Sequence, residues 1–533
     1  MIADTLAAAV ADALRELGVE PPDVVGMERP ARREHGDWSS NAALASAKRA
    51  GRNPRELAQE LADHLLAAGL PHVEAVEIAG PGFVNLRLAP TWLHDVLAEV
   101  VREGEKDYGR SDLGGGLRVN VEFVSANPTG PLHAGGGRWG AYGDSLARLF
   151  ERTGHVAHRE YYVNDRGTQT ALFGESLTAR KHGTPLPEDG YAGEYVAEWA
   201  AELPDDADPV RWGRDRALEE VRAALASMHV QFDTWSSEAE LVATGAMEES
   251  LDELRELGHV FEEEGAVWLR TTDFGDDKDR VLIRSDGEPT YFLPDIAYHR
   301  DKYRRGDLVI DVLGADHHGY VARMKAAMAA LGHEADSYEV IIGQNVALVR
   351  DGAEVKLSKR TGTMIEIAEL IDEVGPDVAR FAYLLQSIDS TQTLDIDLLA
   401  KQANENPVFY VQYAHARIHS VGKEAARRSI VRRPLDEVDL SPLTHERELE
   451  VLRMLSILPE MIEVATRERA PHKIATWVRE LAAAFHGFYH DCPVLRSDVT
   501  DELQQARLWL VEATRVGLAI GLDLLGVSAP EEM

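Results

Sequence analysis

The chain has 533 residues, 44% of them hydrophobic, and a formal net charge of −35 at pH 7. Its length predicts about three or four domains with cores of their own. No apolar run reaches the roughly 20 residues that span a bilayer, and the alanine-rich N-terminus carries charges at helical spacing, unlike a secretion signal. The single cysteine, Cys492, excludes internal disulfides and a cysteine-based zinc site. We therefore expect a cytoplasmic protein without membrane contact.

The acidic excess argues at first sight against a nucleic-acid partner, because affinity for phosphate backbones comes from Lys and Arg. Charge acts locally, over a Debye length of about 8–10 Å, so basic segments can lie on an acidic protein. Residues 29–33, 356–360 and 427–433 are candidates. The first and the last are equally consistent with a solvated surface. An RNA partner therefore stays open at this point.

The first elements in chain order form a small module. An amphipathic helix at the N-terminus, a second helix around Asn53–Leu66 and a strand at Gly82–Leu88 precede a break at Gly114–Gly116. This pattern predicts an N-terminal α+β domain over residues 1–90.

The middle of the chain alternates between strand and helix patterns from residue 115 to 370. A stretch rich in Pro, Gly and acidic residues interrupts the alternation around 180–290. The pattern predicts an α/β, Rossmann-type nucleotide-binding domain with an insertion. From 371 to 533 the apolar spacing is almost entirely helical, which predicts an all-α domain.

A glycine-rich turn follows the first strand of the middle region. The strand Leu117–Val124 leads to His133-Ala134-Gly135-Gly136 and then to a helix at Trp139–Phe150. Backbone N–H groups at such a helix N-terminus favour phosphate binding. A glycine run between a strand and a helix is more often an ordinary turn, so this motif alone is weak.

A second motif lies about two hundred residues further along. The segment Lys356-Leu357-Ser358-Lys359-Arg360 follows an apolar run at Val340–Ile342. Its lysines offer two ammonium groups to a polyphosphate, although such a segment alone is usually a solvated loop. Together, and in this order in the predicted sheet, the two motifs predict an ATP site.

The two motifs resemble the HIGH and KMSKS signatures of class I aminoacyl-tRNA synthetases, and the stretch Val121–His133 resembles arginyl-tRNA synthetases in particular. One position departs from the family pattern: Gly136 stands where the first signature has its second histidine, so only His133 inherits the phosphate-binding role. The resemblance covers nearly the whole chain. Further matching segments are Glu160–Asp165, Tyr291–Ile296, Gly314–Tyr320 and Phe485–Cys492.

The resemblance implies an arginine–tRNA ligase used in translation. Such an enzyme activates L-arginine with ATP to arginyl-adenylate and pyrophosphate, and then transfers the arginine to the terminal ribose of its tRNA. The N-terminal domain would contact the tRNA and the C-terminal domain would bind the anticodon. We expect tRNA(Arg), L-arginine and ATP as partners, Mg²⁺ carried with the ATP, no zinc, no metal held by the protein itself, and a monomer.

The resemblance also implies the site residues. The expected catalytic residues are His133, Lys356 and Lys359; the expected ATP-binding residues are His133, Gly135, Gly136 and Lys359; the expected arginine-binding residues are Glu122, Asn127, Tyr291, Asp295 and His317. A carboxylate that accepts two parallel N–H bonds selects a guanidinium over an ammonium group. Asp295 has an alternative interpretation as the N-cap of a helix.

Two other functions stay open from the sequence. One is a class I relative that activates a carboxylate for a purpose other than tRNA charging, which the predicted helical C-terminal domain disfavours. The other is a paralogue without catalytic activity that binds RNA or an amino acid as a regulator. Retention of His133 and Lys359 argues against the regulator, whereas Gly136 leaves it open.

We expect Lys359→Ala to lower kcat for arginine activation about 100-fold or more, with a smaller change in KM for arginine. The reason is that the ammonium group acts chiefly on charge that develops in the transition state. Steady-state charging kinetics measure both parameters. Turnover near that of the wild type would mean that residues 356–360 are ordinary surface.

Overall fold

The computed structural model describes residues 2–30, 32–355, 365–403 and 405–533. The chain divides into two compact units. One contains Met1–Gly104, Ala425–Ser456 and Gly487–Thr514, and the other contains Glu105–Glu424, Ile457–His486 and Arg515–Met533. Each unit includes segments of the C-terminal region. The predicted domain boundaries at 1–90, 115–370 and 371–533 stay predictions.

The N-terminal part of the first unit is an antiparallel sheet with helices against it, which confirms the predicted α+β character. Its elements are α1 (Ile2–Glu16), β1 (Trp38–Ser40), α2 (Ala42–Ala50), α3 (Pro54–Ala67), β2 (Val73–Ala79), β3 (Phe83–Leu88) and α4 (Thr91–Asp107). The strand order is β1-β3-β2. Helix α3 starts where Asn53 caps it, accepting hydrogen bonds from the backbone N–H groups of Arg55 and Glu56, and proline is favoured at the first position after such a cap.

The second unit begins with alternating strands and helices. Its elements up to residue 343 are β4 (Arg118–Glu122), α5 (Gly137–Arg152), β5 (Val156–Val163), α6 (Thr168–His182), α7 (Glu194–Glu202), α8 (Pro209–Ser227), β6 (Thr234–Ser237), α9 (Glu238–Ala243), α10 (Ala246–Glu256), β7 (Val260–Glu263), β8 (Ala266–Leu269), β9 (Arg280–Ile283), α11 (Phe292–Lys302), β10 (Leu308–Gly314), α12 (Val321–Ala330) and β11 (Tyr338–Gly343). Helices α7 to α10 and a small antiparallel sheet, ordered β7-β8-β9, lie in the segment where the sequence predicts an insertion.

The central sheet of this unit has five strands in the order β11-β10-β4-β5-β6, and all neighbours pair in parallel. The middle strands are apolar because both faces are covered: Val119, Val121, Val309 and Ile310 are fully buried. Strands β5 and β6 lie on one side of β4, and β10 and β11 lie on the other. In such sheets ligands bind outside the carboxyl ends of the strands at the point where the order reverses, here between β4 and β10.

The remaining elements are β12 (Val346–Arg350), β13 (Ala353–Val355), α13 (Ile367–Val374), α14 (Pro376–Tyr383), β14 (Gln392–Asp395), α15 (Ile396–Leu399), α16 (Pro407–Arg427), α17 (Glu446–Arg467), α18 (His472–Asp491) and α19 (Asp501–Leu524). Strand β12 pairs with β13 in an antiparallel hairpin and with β14 in parallel. The region 371–533, predicted to be almost entirely helical, also contains one strand, β14, and the described elements after that strand are helices joined by loops. Among the described residues, no helix is both long enough and apolar enough to cross a membrane.

Helix α5 packs closely against the end of β4 because Gly143 has no side chain. A Cβ atom at Gly143 would collide with the ring of Phe123, which is fully buried and lies 4.5 Å, centroid to centroid, from the ring of Phe232. The glycine therefore sets the distance between α5 and the strand that precedes the site.

We expect Gly143→Ala to lower the free energy of unfolding by about 1–3 kcal/mol, because the core has no room for the added methyl group. Gly422→Ala is a matched control, since Gly422 is exposed in α16 with no atom near its Cβ position, and alanine there favours the helix by about 1 kcal/mol or less. Thermal unfolding of the two variants measures the difference. Equal midpoints would contradict the close packing.

Candidate functional site

The glycine turn after β4 has the geometry of a phosphate site. His133 caps a short 3₁₀ turn at Ala134–Gly136, and its Nδ1 accepts a hydrogen bond from the backbone N–H of Gly136 at 3.0 Å. Because Nδ1 is the acceptor, the neutral imidazole carries its proton on Nε2 and can donate it from there. Helix α5 starts immediately afterwards, at Gly137, so N–H groups of its first turn are directed outward from the turn.

Position 136 packs closely against the side chain of Leu132. A Cβ atom at Gly136 would lie 2.7 Å from Cδ1 of Leu132, which is buried. A histidine at this position would require Leu132 to move. Gly136, which stands in place of the second histidine of the signature, is therefore part of a close contact within the turn.

The second motif, with Lys356 and Lys359, lies outside the described residues, but the chain on both sides of it is described. Strand β13 ends at Val355, and on the other side Glu366 pairs with His133 in an isolated antiparallel bridge. The N–H of Ala134 donates to Ile365 and the N–H of Ile367 donates to Leu132, each at 2.9 Å. The chain that leaves the second motif is thus hydrogen-bonded to the backbone of the first. The roles of Lys356 and Lys359 stay predictions.

A strained turn leads from β4 to the site. Val124 and Ser125 have φ angles of +69° and +41°, a region that is unfavourable for a β-branched residue such as valine. Side-chain hydrogen bonds hold the turn: Ser125 donates to Glu122 Oε1 at 2.8 Å, and its hydroxyl accepts from the N–H of Tyr162 at 3.0 Å. The turn places Asn127 beside α6, where its amide donates to Gln169 at 2.8 Å.

A cavity of about 410 Å³ opens at this edge of the sheet. Three of the predicted arginine-binding residues, Asn127, Tyr291 and Asp295, line it. Tyr291 lies at the start of α11 and is 79% exposed. The other lining residues are Tyr162, Asn164, Arg166, Gly167, Thr168, Gln169 and Glu238.

Asp295 is a carboxylate of the cavity lining that has no ion-paired Lys or Arg among the described side chains. It lies in the first turn of α11, whose N-cap is Tyr291, so the alternative interpretation of Asp295 as an N-cap is wrong. Burial raises the pKa of Asp295 to about 6; the hydroxyl of Tyr320 and the nearby His299 oppose this rise, and Glu238 and Glu122 add to it. Among the side chains that the structure describes, no Lys or Arg forms an ion pair with Asp295.

Glu238 is a second carboxylate of the cavity, which the sequence analysis missed. It follows β6 directly as the first residue of α9. Burial raises its pKa, opposed by a hydrogen bond from Tyr162 and by the charge of Arg166. In the amide orientation that satisfies both of its polar atoms, Asn164 donates to Glu238 at 3.1 Å. The available sequence signal was an acidic residue just after a strand, but β6 is short and polar and lies within the predicted insertion.

Glu122 lies beneath the cavity rather than on its wall. Its Oε2 accepts a hydrogen bond from Tyr298 at 2.8 Å and forms an ion pair with the fully buried Lys302. Lys302 also pairs with Asp311, which accepts from Tyr338 at 2.6 Å. Glu122 therefore already has partners for both of its oxygens, and its predicted direct contact with arginine stays a prediction.

His317 belongs to a 3₁₀ turn at Ala315–Tyr320, directly after the carboxyl end of β10. Its side chain is outside the described part of the structure, so its predicted role stays a prediction. Within the described residues, no group of three or more His, Cys, Asp or Glu side chains is arranged to hold a metal ion.

We expect Asp295→Asn to stabilise the fold at neutral pH. The pKa of Asp295 is about 6 in the folded protein and 3.8 ordinarily, so its carboxyl group favours the folded state at low pH. That contribution is lost as the pH rises from about 4 through 6, and the stability lost by pH 7.5 amounts to about 1–3 kcal/mol. Asparagine, which stays neutral, should raise Tm at pH 7.5, and the gain should shrink as the pH falls below about 6. A lower Tm at pH 7.5 would contradict the burial of an unpaired charge.

Comparisons with known proteins place the whole chain in one family. The tRNA synthetases class I (R) catalytic domain matches residues 102–185 and 194–416, the arginyl tRNA synthetase N terminal domain matches residues 4–88, and the DALR anticodon binding domain matches residues 411–533. A protein of Frankia alni named arginine–tRNA ligase is 48% identical over 551 residues, which cover 100% of this chain and 99% of that protein.

Solved structures agree with the fold. A structure from Campylobacter jejuni is 33% identical, has a TM-score of 0.75 and covers 84% of this chain and 100% of its own. The arginyl-tRNA synthetase of Thermus thermophilus has a TM-score of 0.76 at 24% identity and covers 100% of both chains, which shows a shared fold. The catalytic-domain match over most of the chain and the full-length relative show that this chain belongs to the arginyl-tRNA synthetase family of class I aminoacyl-tRNA ligases.

Proposed function

We propose that this chain, an arginine–tRNA ligase, binds the guanidinium group of L-arginine in the cavity between Asp295 and Glu238. The observation that carries the proposal is a pair of partly buried carboxylates in the lining of one cavity, one of which, Asp295, has no ion-paired Lys or Arg among the described side chains. Leaving a charge buried without a partner costs stability. A cationic ligand that brings N–H donors would compensate both carboxylates.

The geometry favours guanidinium over ammonium. A planar guanidinium offers donors on two edges, so that one carboxylate can accept from each edge. The ammonium of lysine is a single strongly hydrated point charge, and it leaves part of this acceptor capacity unused. Tyr291 and Asn127 line the same cavity, where an aromatic face and an amide can contact the rest of the substrate.

ATP would bind at the glycine turn. His133 would donate from Nε2 to a phosphate oxygen, and the N–H groups of Gly135 and the first turn of α5 would face the same anion. The N–H of Gly136 is already donated to His133, so the predicted contact of Gly136 with ATP stays a prediction. Lys359 and Lys356 would meet the charge that accumulates on the departing pyrophosphate. Mg²⁺ would arrive with the ATP and stay bound to phosphate oxygens and water, since octahedral Mg²⁺ retains most of its waters and needs few protein ligands.

Two steps follow from this arrangement. A carboxylate oxygen of arginine, already ionised at neutral pH, attacks the α-phosphorus of ATP; the bond to the bridging oxygen breaks, and pyrophosphate leaves. No general base is needed, so the protein supplies cations and N–H donors. A terminal ribose hydroxyl of the tRNA then attacks the carbonyl carbon of the adenylate, and AMP leaves. Family resemblance favours the 2′-hydroxyl.

The tRNA partner is supported by the matches to an N-terminal domain of arginyl-tRNA synthetases and to an anticodon-binding domain. The same matches disfavour a class I relative that activates a carboxylate without tRNA. We further propose that the protein acts as a monomer in the cytoplasm on tRNA(Arg). Arginine-dependent charging of bulk tRNA, with each amino acid offered separately, tests the overall activity.

We expect Asp295→Asn and Glu238→Gln each to raise KM for arginine about tenfold or more and to change KM for ATP only a few fold, because a charge-assisted hydrogen bond contributes about 1.5–3 kcal/mol. Glu240→Gln is a matched control, since Glu240 is exposed on the same helix as Glu238. Steady-state charging provides the constants. If ATP affinity falls while arginine affinity does not, the cavity is not the arginine site.

A further inference from the structure

Arg166 is the only Lys or Arg among the described residues that line the cavity. Its Nη1 lies 3.9 Å from Oε1 of Glu238. The Arg166 side chain is 44% exposed and that of Glu238 is 14% exposed, so the pair lies at the mouth of the cavity. The protein thus presents a guanidinium group of its own to one of the two carboxylates that would bind the guanidinium of the substrate.

The residue before Arg166 is held next to Glu238, and the side chain of Arg166 is partly exposed. The preceding residue, Asp165, accepts hydrogen bonds from Ser237 at 2.7 Å and from the backbone N–H of Ala239 at 2.9 Å, and it pairs with Arg214 at 3.3 Å. The following residue, Gly167, has a φ angle of +92° and precedes the first residue of α6. Position 166 is therefore fixed relative to Glu238, while the long and partly exposed side chain of Arg166 can rotate away.

We propose that Arg166 competes with substrate arginine for Glu238 and thereby lowers the affinity of the arginine site; this inference rests on the proposed function of the cavity. An ion pair at this distance and exposure is weak, so breaking it when arginine binds lowers arginine affinity only about two- to fivefold. A substrate guanidinium that bridges Asp295 and Glu238 makes stronger contacts than the ion pair that it displaces. Any ligand that needs Glu238 meets the same competition.

The test is direct binding of labelled arginine to the full chain at pH 7.5, with unlabelled agmatine and lysine as competitors. Agmatine keeps the guanidinium but lacks the carboxylate, so it separates competition at Glu238 from recognition of the carboxylate. For Arg166→Ala we expect the Kd values of arginine and agmatine both to fall about two- to fivefold, and that of lysine to fall by no more than the same factor. Arg166→Lys, which keeps a cation at the site, should stay closer to the wild type.

Arg211→Ala is the control for net charge, because Arg211 is exposed on α8 and does not line the cavity; its affinities should be unchanged. Unchanged arginine affinity in Arg166→Ala overturns the proposal. Weaker arginine binding with unchanged agmatine binding also overturns it and makes Arg166 a ligand of the substrate carboxylate. Asp295→Asn is measured in parallel. If this variant binds arginine as tightly as the wild type, the cavity is not the arginine site and the proposed function is wrong. If it binds arginine more weakly, a negative result at Arg166 overturns only the inference about Arg166.

Discussion

One buried cation, Lys302, joins helix α11 to the centre of the parallel sheet. Its ammonium group pairs with Glu122 at the end of β4 and with Asp311 on β10, the two strands between which the sheet order reverses. Removing one partner from such a buried cluster typically costs about 3–5 kcal/mol, because it leaves a charge without compensation. Asp295 lies about two turns before Lys302 on the same helix. The position of the cavity carboxylate therefore depends on an ion pair that does not line the cavity.

The pKa values of the carboxylates shift in opposite directions in the cluster beneath the cavity and in the cavity itself. Below, the charges of Lys302 and His299 overcome the effect of burial and hold the pKa of Asp311 below its ordinary value. Above, burial prevails and raises the pKa of Asp295 to about 6. The carboxylates with ion-paired partners hold the fold together, and the carboxylate without an ion-paired Lys or Arg is the one that we propose binds the substrate. Such a division is typical of binding sites, where local stability is lower so that affinity can be higher.

The sequence predicted most of the fold because strand and helix periods, glycine turns and the order of the two motifs are local features. The sequence also assigned Asn127, Tyr291 and Asp295 to one site, and the structure places all three in the lining of one cavity. Glu238 escaped prediction because its strand is short and polar, and only the pairing of β6 with β5 brings it to the same sheet edge. The partners of Glu122 escaped because Lys302 is distant in the chain, and an apolar strand by itself does not indicate which cation will neutralise its carboxylate.

The bridge between His133 and Glu366 has a consequence for how the protein is made. The glycine turn is near the end of the first quarter of the chain, whereas the backbone that pairs with it emerges from the ribosome only after two thirds has been synthesised. Until then, Ala134 has no Ile365 carbonyl to accept from its N–H, and Leu132 has no Ile367 N–H to satisfy its carbonyl. Chains begin to fold as they emerge. A nascent chain that stops short of residue 366 therefore carries the first signature without the backbone that completes it, and ATP chemistry has to wait until the part of the chain that follows the second signature has been translated.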